Sequence, residues 1–237
     1  RLSSSWARNR WKACGDLRVA VAESIHSQVP RSHGQGHLLF REARVQIAEG
    51  VYSVDDTGFV NVYVLARPGR VVVVDTGIPG TAEKIVACVR GAGYTEADVT
   101  TIILTHADPD HSGSARRLKE LTGAVVAIGA ADAPRVEGTV PLKAAKLNSG
   151  TAPRLVDEVA GFEVFTPDLL LHEGDTVEDL TVLEVPGHTD GSIALLDRSG
   201  GFMVVGDALR GDNQGGAQPP SEAMTYDMKR AWDSVRR

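Results

Sequence analysis

The sequence predicts a layered α/β domain, in which strands and helices alternate along the chain before a strand-rich second half. Short apolar runs with the spacing of strands recur from about Val45 onward. Two stretches between these runs place their apolar residues on one face of a helix. Because this alternation is typical of helices packed on a sheet, it predicts α and β layers around a common core.

The first elements form a predicted meander of strands. Val45–Ile47 and Val51–Val54 are short apolar runs, and Phe59–Leu65 alternates in the manner of a strand. A Pro-Gly turn then predicts a hairpin with Val71–Val74, which is apolar on both faces and therefore belongs in the middle of a sheet. This strand ends at Asp75, so we expect a carboxylate at its carboxyl end.

Two helices and two further strands follow the meander. The spacing of apolar residues predicts helices from Pro79 to about Arg90 and from His111 to Leu121. The apolar runs Val99–Thr105 and Ala124–Ile128 predict strands. Cys88 lies within the first helix, where we interpret it as a buried core thiol.

The second half of the chain begins with a less regular insertion. Residues from about Asp132 to Val159 contain several Pro and Gly, as is common in lids and binding loops. The strands predicted after it are Glu163–Phe165, Leu169–Leu171, Thr181–Val185, Ser192–Leu196 and Phe202–Val205. Ser221 is a predicted cap for a last helix, whose apolar face is formed by Met224, Met228, Ala231, Trp232 and Val235.

Composition limits the class of protein. A chain of 237 residues with 42% hydrophobic and 24% charged residues is typical of a folded, soluble domain. The net charge of −6 argues against broad attraction to nucleic acid or to an anionic membrane. No apolar run approaches the ~18 residues that span a bilayer. The two cysteines, Cys14 and Cys88, do not make a disulfide framework, which favours a cytoplasmic protein.

The first 42 residues differ from the rest of the chain. They are rich in Arg and Ser, show no sustained hydrophobic period and lack the apolar segment of a secretory signal. We therefore predict a poorly structured leader over residues 1–42 and a folded domain over residues 43–237.

A short polar stretch after the strand Val99–Thr105 carries the chemistry. It packs four potential metal ligands into six residues: His106, Asp108, Asp110 and His111. Two further candidates follow downstream, His188 in Pro-Gly-His-Thr and Asp207 in Gly-Asp. Imidazole and carboxylate groups together suit a divalent metal such as zinc, so the sequence predicts a metal site that activates water.

These motifs, together with Asp75 in Val-Asp-Thr-Gly, occur in the order found in the metallo-β-lactamase-fold hydrolases, a family that the chain resembles from about Val45 to its end. The resemblance implies a four-layer αβ/βα sandwich with two divalent metal ions, most often Zn²⁺, at one edge between the sheets. It implies that one metal is held by His106, Asp108 and His188. It implies that a second is held by Asp110, His111 and Asp207, with Asp207 bridging both.

The resemblance also implies roles beyond ligation. A metal-activated hydroxide would attack a substrate carbonyl, with Asp110 both binding the second metal and orienting the hydroxide. Asp75 resembles the carboxylate that steadies the ligand loops. The substrate would be a small molecule of the lactone, thioester or β-lactam type.

Two departures from the family pattern leave alternatives open. The commonest motif has His at the position of Asp108, and a carboxylate there favours harder metals such as manganese or iron. This leaves an iron-dependent oxidoreductase on the same scaffold as one alternative. The family usually supplies one more His after the bridging Asp, yet no histidine follows Asp207. We therefore expect a chain that lacks its last C-terminal segment or holds its second metal weakly, and a non-catalytic or truncated member is the other alternative.

A few segments bear on the class of substrate. Asp132–Gly138 resembles the segment after the third strand of lactonase-like hydrolases, but Leu209 and Arg210 stand where an acyl-homoserine lactonase has a Tyr. A thioesterase resembling glyoxalase II would need a basic, helical C-terminal region. A true β-lactamase is the least favoured of the three, because the fold is much broader than that activity. Substrate specificity is expected in the loops 133–159 and 57–61, and the oligomeric state stays open.

Simpler interpretations exist for single residues. Asp108, Asp110 or His111 could cap a helix, although capping does not explain their recurrence with His188 and Asp207. We interpret His172 as a surface turn residue. We expect Asp190 and Ser192 to shape the loop after His188.

Overall fold

Two β-sheets lie face to face in this protein. The computed structural model describes residues 18–20, 44–58, 60–142, 160–211 and 216–237, and residues 18–20 by their backbone alone. The larger sheet has seven strands, in the spatial order β2 Arg44–Ala48, β3 Val51–Val54, β4 Tyr63–Arg67, β5 Arg70–Val74, β6 Val99–Leu104, β7 Val125–Gly129 and β8 Leu169–Leu171. Strands β2 to β5 pair in antiparallel fashion, and β5 to β8 pair in parallel.

The smaller sheet has five strands. Its spatial order is β1 Arg18–Ala20, β12 Phe202–Val204, β11 Ile193–Asp197, β10 Leu180–Glu184 and β9 Thr176–Val177. Strand β1 pairs with β12 in parallel, and the other pairs are antiparallel. A separate short hairpin joins β13 Arg210–Gly211 to β14 Ala217–Gln218.

Helices cover the outer faces of the two sheets. They are α1 Ala82–Gly91, α2 Pro109–Ser112, α3 Ala115–Thr122, α4 Ala133–Val136 and α5 Met228–Arg236. Ile85 of α1 and Leu118 of α3 pack on one face of the larger sheet, whereas Val235 of α5 packs against the smaller one. The order helix, sheet, sheet, helix confirms the predicted four-layer αβ/βα sandwich.

Alternation along the strands explains this layering. In β5, Val71 and Val73 face the helices, while Val72 and Val74 face the smaller sheet. Because successive side chains point to opposite faces, a strand of four valines buries apolar surface on both sides. The expectation that this strand is central is therefore confirmed, with β4 and β6 as its neighbours.

Several predicted boundaries are wrong. The strand predicted over Phe59–Leu65 begins only at Tyr63, and Phe59 lies outside the described residues. Glu163–Phe165 forms no strand, because Phe165 packs with the helix-side core and donates its backbone N–H to the Val136 carbonyl at 2.9 Å. Phe165 thus belongs to a loop that covers the core.

The helical predictions need similar correction. The helix predicted over His111–Leu121 is divided into α2 and α3. At the division, a Cβ on Gly113 would lie 2.3 Å from the Pro109 carbonyl oxygen. The last helix begins at Met228 rather than near Ser221, since Asp227 caps it by accepting the backbone N–H of Arg230 at 2.9 Å.

The predicted leader contributes one strand to the fold. Arg18–Ala20 lies within it and pairs with Phe202–Val204 at an edge of the smaller sheet. The rest of the leader, and residues 143–159 of the predicted insertion, lie outside the described residues.

Two predictions about single features can also be compared with the structure. The prediction of a buried Cys88 is confirmed, and burial raises the pKa of its thiol to about 11. Of the helices within the described ranges, none combines the length and the hydropathy that crossing a bilayer requires.

Candidate metal centre

The carboxyl ends of three parallel strands meet at one edge of the larger sheet. Asp75 follows β5, the segment from Thr105 follows β6, and Asp132 lies just beyond β7. Because neighbouring parallel strands point the same way, polar residues that follow them are brought together at this edge. The structure thus gathers at this edge residues that lie far apart in the sequence, such as Asp75 and His111, which are 36 positions apart.

The loop after β6 turns at once into the short helix α2. Asp108 occupies the N-cap position and its carbonyl accepts the N–H of His111 at 2.9 Å, but its side chain makes no capping hydrogen bond. That carboxylate instead faces His188, with Asp108 Oδ2 3.1 Å from His188 Nε2. The capping interpretation therefore fails for the side chain of Asp108. Asp110 and His111 lie within α2 rather than at its end.

Asp75 sets the orientation of His111. Its Oδ2 lies 2.8 Å from His111 Nδ1, and a carboxylate can only accept, so the proton is on Nδ1. The second nitrogen, Nε2, is then directed away from Asp75 and is the one that can offer a lone pair to a metal. Within the described residues, this buried Nε2 has no hydrogen-bond partner.

Two successive hydrogen bonds, from Asp75 through the Thr105 hydroxyl, set the orientation of His106. The Thr105 hydroxyl donates to Asp75 Oδ2 at 2.9 Å, and its oxygen lies 3.0 Å from His106 Nδ1. Since that hydroxyl hydrogen is already used, His106 Nδ1 must be the donor. His106 Nε2 is therefore unprotonated and buried, and no described residue provides it with a hydrogen-bond partner.

The remaining candidates come from the smaller sheet. His188 lies between β10 and β11, and its ring centroid is 4.7 Å from that of His106. Asp207 follows β12 and places Oδ1 3.3 Å from His111 Nε2 and Oδ2 3.6 Å from His188 Nε2. His111 Nε2 is 3.9 Å from Asp110 Oδ2. All six sequence-predicted ligands thus converge between the two sheets.

The protonation states follow from this clustering. Burial and the neighbouring imidazoles hold the pKa of His106 well below its usual range, so this ring is neutral. Burial opposes a charge on His111 as well, but the Asp75, Asp110 and Asp207 carboxylates raise its pKa well above the usual value. Asp207 responds in the opposite direction: burial disfavours its charge, yet His111 and His188 lower its pKa.

The residues fit a site for divalent cations. Two three-residue groups offer ligand atoms that all lie within 4.8 Å of one another, one with His106, Asp110 and His111 and one with His106, His188 and Asp207. His111 Nε2 lies 3.3 Å from Asp207 Oδ1, a contact that is favourable when a proton or a divalent cation lies between the two atoms. The clustered carboxylates need compensating positive charge, which the carboxylate-raised pKa values of His111 and His188, or a divalent cation, can supply.

Sequence reasoning missed two supporting features. Asp132, assigned to the irregular insertion, is fully buried beside the ligand loops. Gly206 has φ of +49°, and a Cβ there would lie 2.6 Å from Thr105 Oγ1. Glycine at this position therefore lets the Asp207 segment approach the loop of Thr105. A signal for Asp132 was present, since an acidic residue three positions after a buried strand lies at the same edge as Asp75.

The residues expected to lie outside the cluster do so. His172 is 65% exposed in its side chain and stands in a turn closed by Asp175. Ser192 Oγ accepts the backbone N–H of Thr189 at 3.0 Å, which shapes the loop of His188. Asp190 pairs with Arg135 and Arg230 on the surface.

A layered sandwich with a His- and Asp-rich cluster at one edge defines a class of metal-binding proteins. The chain belongs to the metallo-beta-lactamase superfamily, whose family model matches residues 55–236. The resemblance to this family noted from the sequence is confirmed.

Individual relatives share parts of the chain. YobT of Bacillus subtilis strain 168 is 31% identical over 155 residues, which are 64% of this chain and 62% of that protein. A hydroxyacylglutathione hydrolase of Cereibacter sphaeroides is 40% identical over 115 residues, which are 47% of this chain and 34% of that enzyme. The chain thus spans about one third to two thirds of the length of these two relatives.

Solved structures agree on the fold. The subclass B3 metallo-beta-lactamase BJP-1 of Bradyrhizobium japonicum has a TM-score of 0.51 and 27% identity, with coverage of 65% of this chain and 55% of that one. A beta-lactamase from Chitinophaga pinensis has a TM-score of 0.54 and 18% identity, with 86% and 78% coverage. At 18% identity, the second similarity shows the fold alone.

Proposed function

We propose that this chain is a metal-dependent hydrolase that opens a carbonyl substrate of the lactone, thioester or β-lactam type. The observation that carries the proposal is the pair of Nε2 atoms of His106 and His111, which are buried, have no hydrogen-bond partner among the described residues and lie among carboxylates. Two buried histidines and the aspartate that orients them provide the donor set of a metal centre. Membership of the superfamily supports hydrolysis in general.

The ligands we propose are divided between two positions. His106, Asp108 and His188 would hold one metal. Asp110 and His111 would hold the second, and Asp207, which lies near both His111 and His188, would bridge the two. When bound, a divalent pair lowers the pKa of a water molecule to about 7 and polarises the substrate carbonyl.

Asp110 is the proposed catalytic residue. It is buried on α2, and one of its carboxylate oxygens lies 3.9 Å from His111 Nε2, at the inner side of the cluster. A carboxylate in this position can orient a water molecule by accepting its hydrogen bond and can then receive its proton. Asp75 is too deep to act in this way, because Thr105 and His111 already use its oxygens.

Zinc is the proposed metal, with manganese or iron as the specific alternatives. Asp108 supports the alternatives, because its carboxylate lies 3.1 Å from His188 Nε2 at a position where the family commonly has an imidazole. An oxygen ligand in place of nitrogen favours harder ions. Recovery of iron with the purified chain would favour the oxidoreductase alternative on the same scaffold.

A substrate panel tests the proposal. The chain loaded with Zn²⁺ or Mn²⁺ is assayed against one lactone, one thioester and one β-lactam, beside Asp110→Asn. We expect turnover of at least one class, with kcat lowered by about 10²-fold or more in the variant. Asp168→Asn is the control, since this carboxylate serves Lys119 and the Val126 N–H at the opposite edge of the sheet. Absence of turnover, or equal turnover in Asp110→Asn, would contradict the proposal.

Three further expectations stay predictions. They are the cytoplasmic location, the small-molecule substrate and the weakly held second metal. The last is tested by titrating the chain with Zn²⁺ or Mn²⁺ and measuring how many equivalents bind and how tightly.

A further inference from the structure

Asp132 joins the two loops that carry the candidate ligands. Its side chain is fully buried beyond the end of β7. Oδ2 accepts the backbone N–H of Ala107 at 2.9 Å and the hydroxyl of Thr189 at 2.7 Å. Oδ1 accepts the backbone N–H of Gly191 at 2.9 Å. Every one of these donors belongs to a segment that holds a candidate ligand or adjoins one.

The donors come from different sheets. Ala107 lies between His106 and Asp108 in the loop after β6, which belongs to the larger sheet. Thr189 and Gly191 follow His188 in the loop between β10 and β11 of the smaller sheet. One carboxylate group therefore ties the two sheets together at the edge where the cluster lies.

The backbones at this edge approach closely enough to need glycine. A Cβ on Gly191 would lie 2.4 Å from the Asp132 backbone nitrogen, and one on Gly129 would lie 2.1 Å from the Gly191 carbonyl oxygen. Neither position has space for a side chain. The contact is thus a tight junction in which Asp132 supplies the hydrogen-bond acceptors.

Of the two proposed metal positions, only one takes ligands from both of the loops that Asp132 joins, because Asp207 follows β12 and lies in neither loop. The position of His106, Asp108 and His188 needs both loops, and its contact of 3.1 Å between Asp108 Oδ2 and His188 Nε2 spans them. Asp110 and His111 both lie on α2, which Asp75 and Thr76 hold from β5. A change in the distance between the loops would separate the first set and leave α2 in place.

We propose that Asp132 is a positioning residue that fixes the distance between the His106 loop and the His188 loop, and thereby determines the metal affinity of the position they share. The inference rests on the proposed metal centre. It adds a residue that touches no ligand side chain and acts through the backbone of Ala107 and through Thr189.

If Asp132 had a purely structural role, its substitution would have a different effect. A buried carboxylate that accepts backbone and hydroxyl hydrogens stabilises its loop wherever it lies, so its loss lowers stability without altering ligation. Asp197 is such a residue. It is 1% exposed, lies at the other end of β11, accepts the Gly200 N–H and the Ser199 hydroxyl, and pairs with Arg67. Asp197→Asn is therefore the matched control for Asp132→Asn.

The substitution to Asn retains the size of the side chain and removes one acceptor. Whichever way the amide is turned, its NH₂ group faces a backbone N–H, either that of Ala107 or that of Gly191. Two donors that face each other in a buried site push the loops apart. Thr189→Val is a second, milder variant, because it removes a single hydroxyl from the same junction.

The experiment titrates wild type, Asp132→Asn, Thr189→Val and Asp197→Asn with Co²⁺, following the d–d absorption bands and the affinity of each equivalent. In Asp132→Asn we expect one equivalent to bind about 10- to 100-fold more weakly, with an altered band shape, while the other is retained. Thr189→Val should show a smaller loss in the same direction, and Asp197→Asn should titrate as wild type.

Three results would overturn the inference. Wild-type affinities and spectra in both Asp132→Asn and Thr189→Val would show that the junction does not position ligands, even if unfolding shows lower stability. Failure of the wild-type chain to bind Co²⁺ would overturn the proposed metal centre and the inference with it. A loss of equal size in Asp197→Asn would also contradict it, because a remote buried carboxylate would then have the same effect.

Discussion

Asp75 determines which ring nitrogen faces the cluster in two histidines. It accepts from His111 Nδ1 directly and reaches His106 Nδ1 through the Thr105 hydroxyl. Because each Nδ1 is thereby held as a donor, each Nε2 is the nitrogen that can offer a lone pair to a metal. Asp75, which has a φ of +61° directly after a central strand, thus orients both imidazoles as ligands.

Asp75→Asn should impair metal binding with little effect on the backbone. Asn adopts the left-handed conformation readily, but its NH₂ group would donate to His111 Nδ1 and shift the ring proton to Nε2. We expect metal affinity to fall by about 10- to 100-fold, measured by competition with a chromophoric chelator. Asp56→Asn is the control, since Asp56 also has positive φ (58°) and is exposed. Equal affinity in wild type and Asp75→Asn would show that the tautomers are not set in this way.

At the scale of elements, helix α5 supports the loop of His188 from outside. The backbone N–H groups of Tyr226 and Asp227 donate to the carbonyls of His188 and Gly187, at 3.2 and 2.9 Å. The Ser234 hydroxyl donates to the Pro186 carbonyl at 2.7 Å. The loop is therefore held by the chain's last helix on one side and by the Asp132 junction on the other.

Gly187→Ala should loosen this support. Gly187 has φ of +141°, and a Cβ there would lie 2.2 Å from the Ala231 backbone nitrogen, so α5 must move. We expect the free energy of unfolding to fall by about 1–3 kcal/mol, measured by urea denaturation. Gly174→Ala is the control, because Gly174 also has positive φ (+83°) but no atom within 4 Å. If both variants lost the same stability, conformational strain alone would explain the effect and the helix contact would contribute nothing.

For the whole molecule, stability depends on the layer between the two sheets. Ile103 and Leu65 from the larger sheet meet Leu195 and Val182 from the smaller one, and all are buried. This layer determines how the sheets are placed against each other. It therefore also determines the separation of the two halves of the cluster at their edge.

Leu195→Ala should test this layer. Removal of a fully buried leucine leaves a cavity between the sheets, and we expect a loss of about 2–5 kcal/mol in the free energy of unfolding. Leu170→Ala removes the same atoms from a side chain that is 52% exposed, and its expected effect lies within about 0.5 kcal/mol. Urea denaturation of both variants measures the difference. Similar losses in the two would argue against a packed layer at Leu195.

The site residues differ in how far the sequence reveals them. His106 to His111 could be found because six adjacent residues carry four candidate ligands directly after an apolar strand, and such local spacing can be read from a sequence. His188 and Asp207 were found through the order of the family's motifs. Asp132 was missed, because its partners Ala107 and Thr189 lie 25 and 57 positions away and no local period links them.

The strands and helices also differ in how far the sequence reveals them. The four valines of β5 predict a central strand by composition alone, since only a strand covered on both faces can bury them all. The start of α5 at Met228 depends on the Asp227 cap and on contacts with the His188 loop. The apolar Glu163–Phe165 segment resembles a strand locally, yet packing of Phe165 on the helix-side core makes it a loop.

The sequence by itself determined the layered α/β class, the family and the chemical types of the cluster, because hydrophobic period and ligand spacing are local properties. Only the tertiary structure decided that the Asp108 side chain faces His188 instead of capping its helix, and that Asp75 fixes two tautomers. The physical reason is that these contacts join segments from separate strands and sheets. Their distances are set by the packing of the two sheets, which no short stretch of sequence encodes.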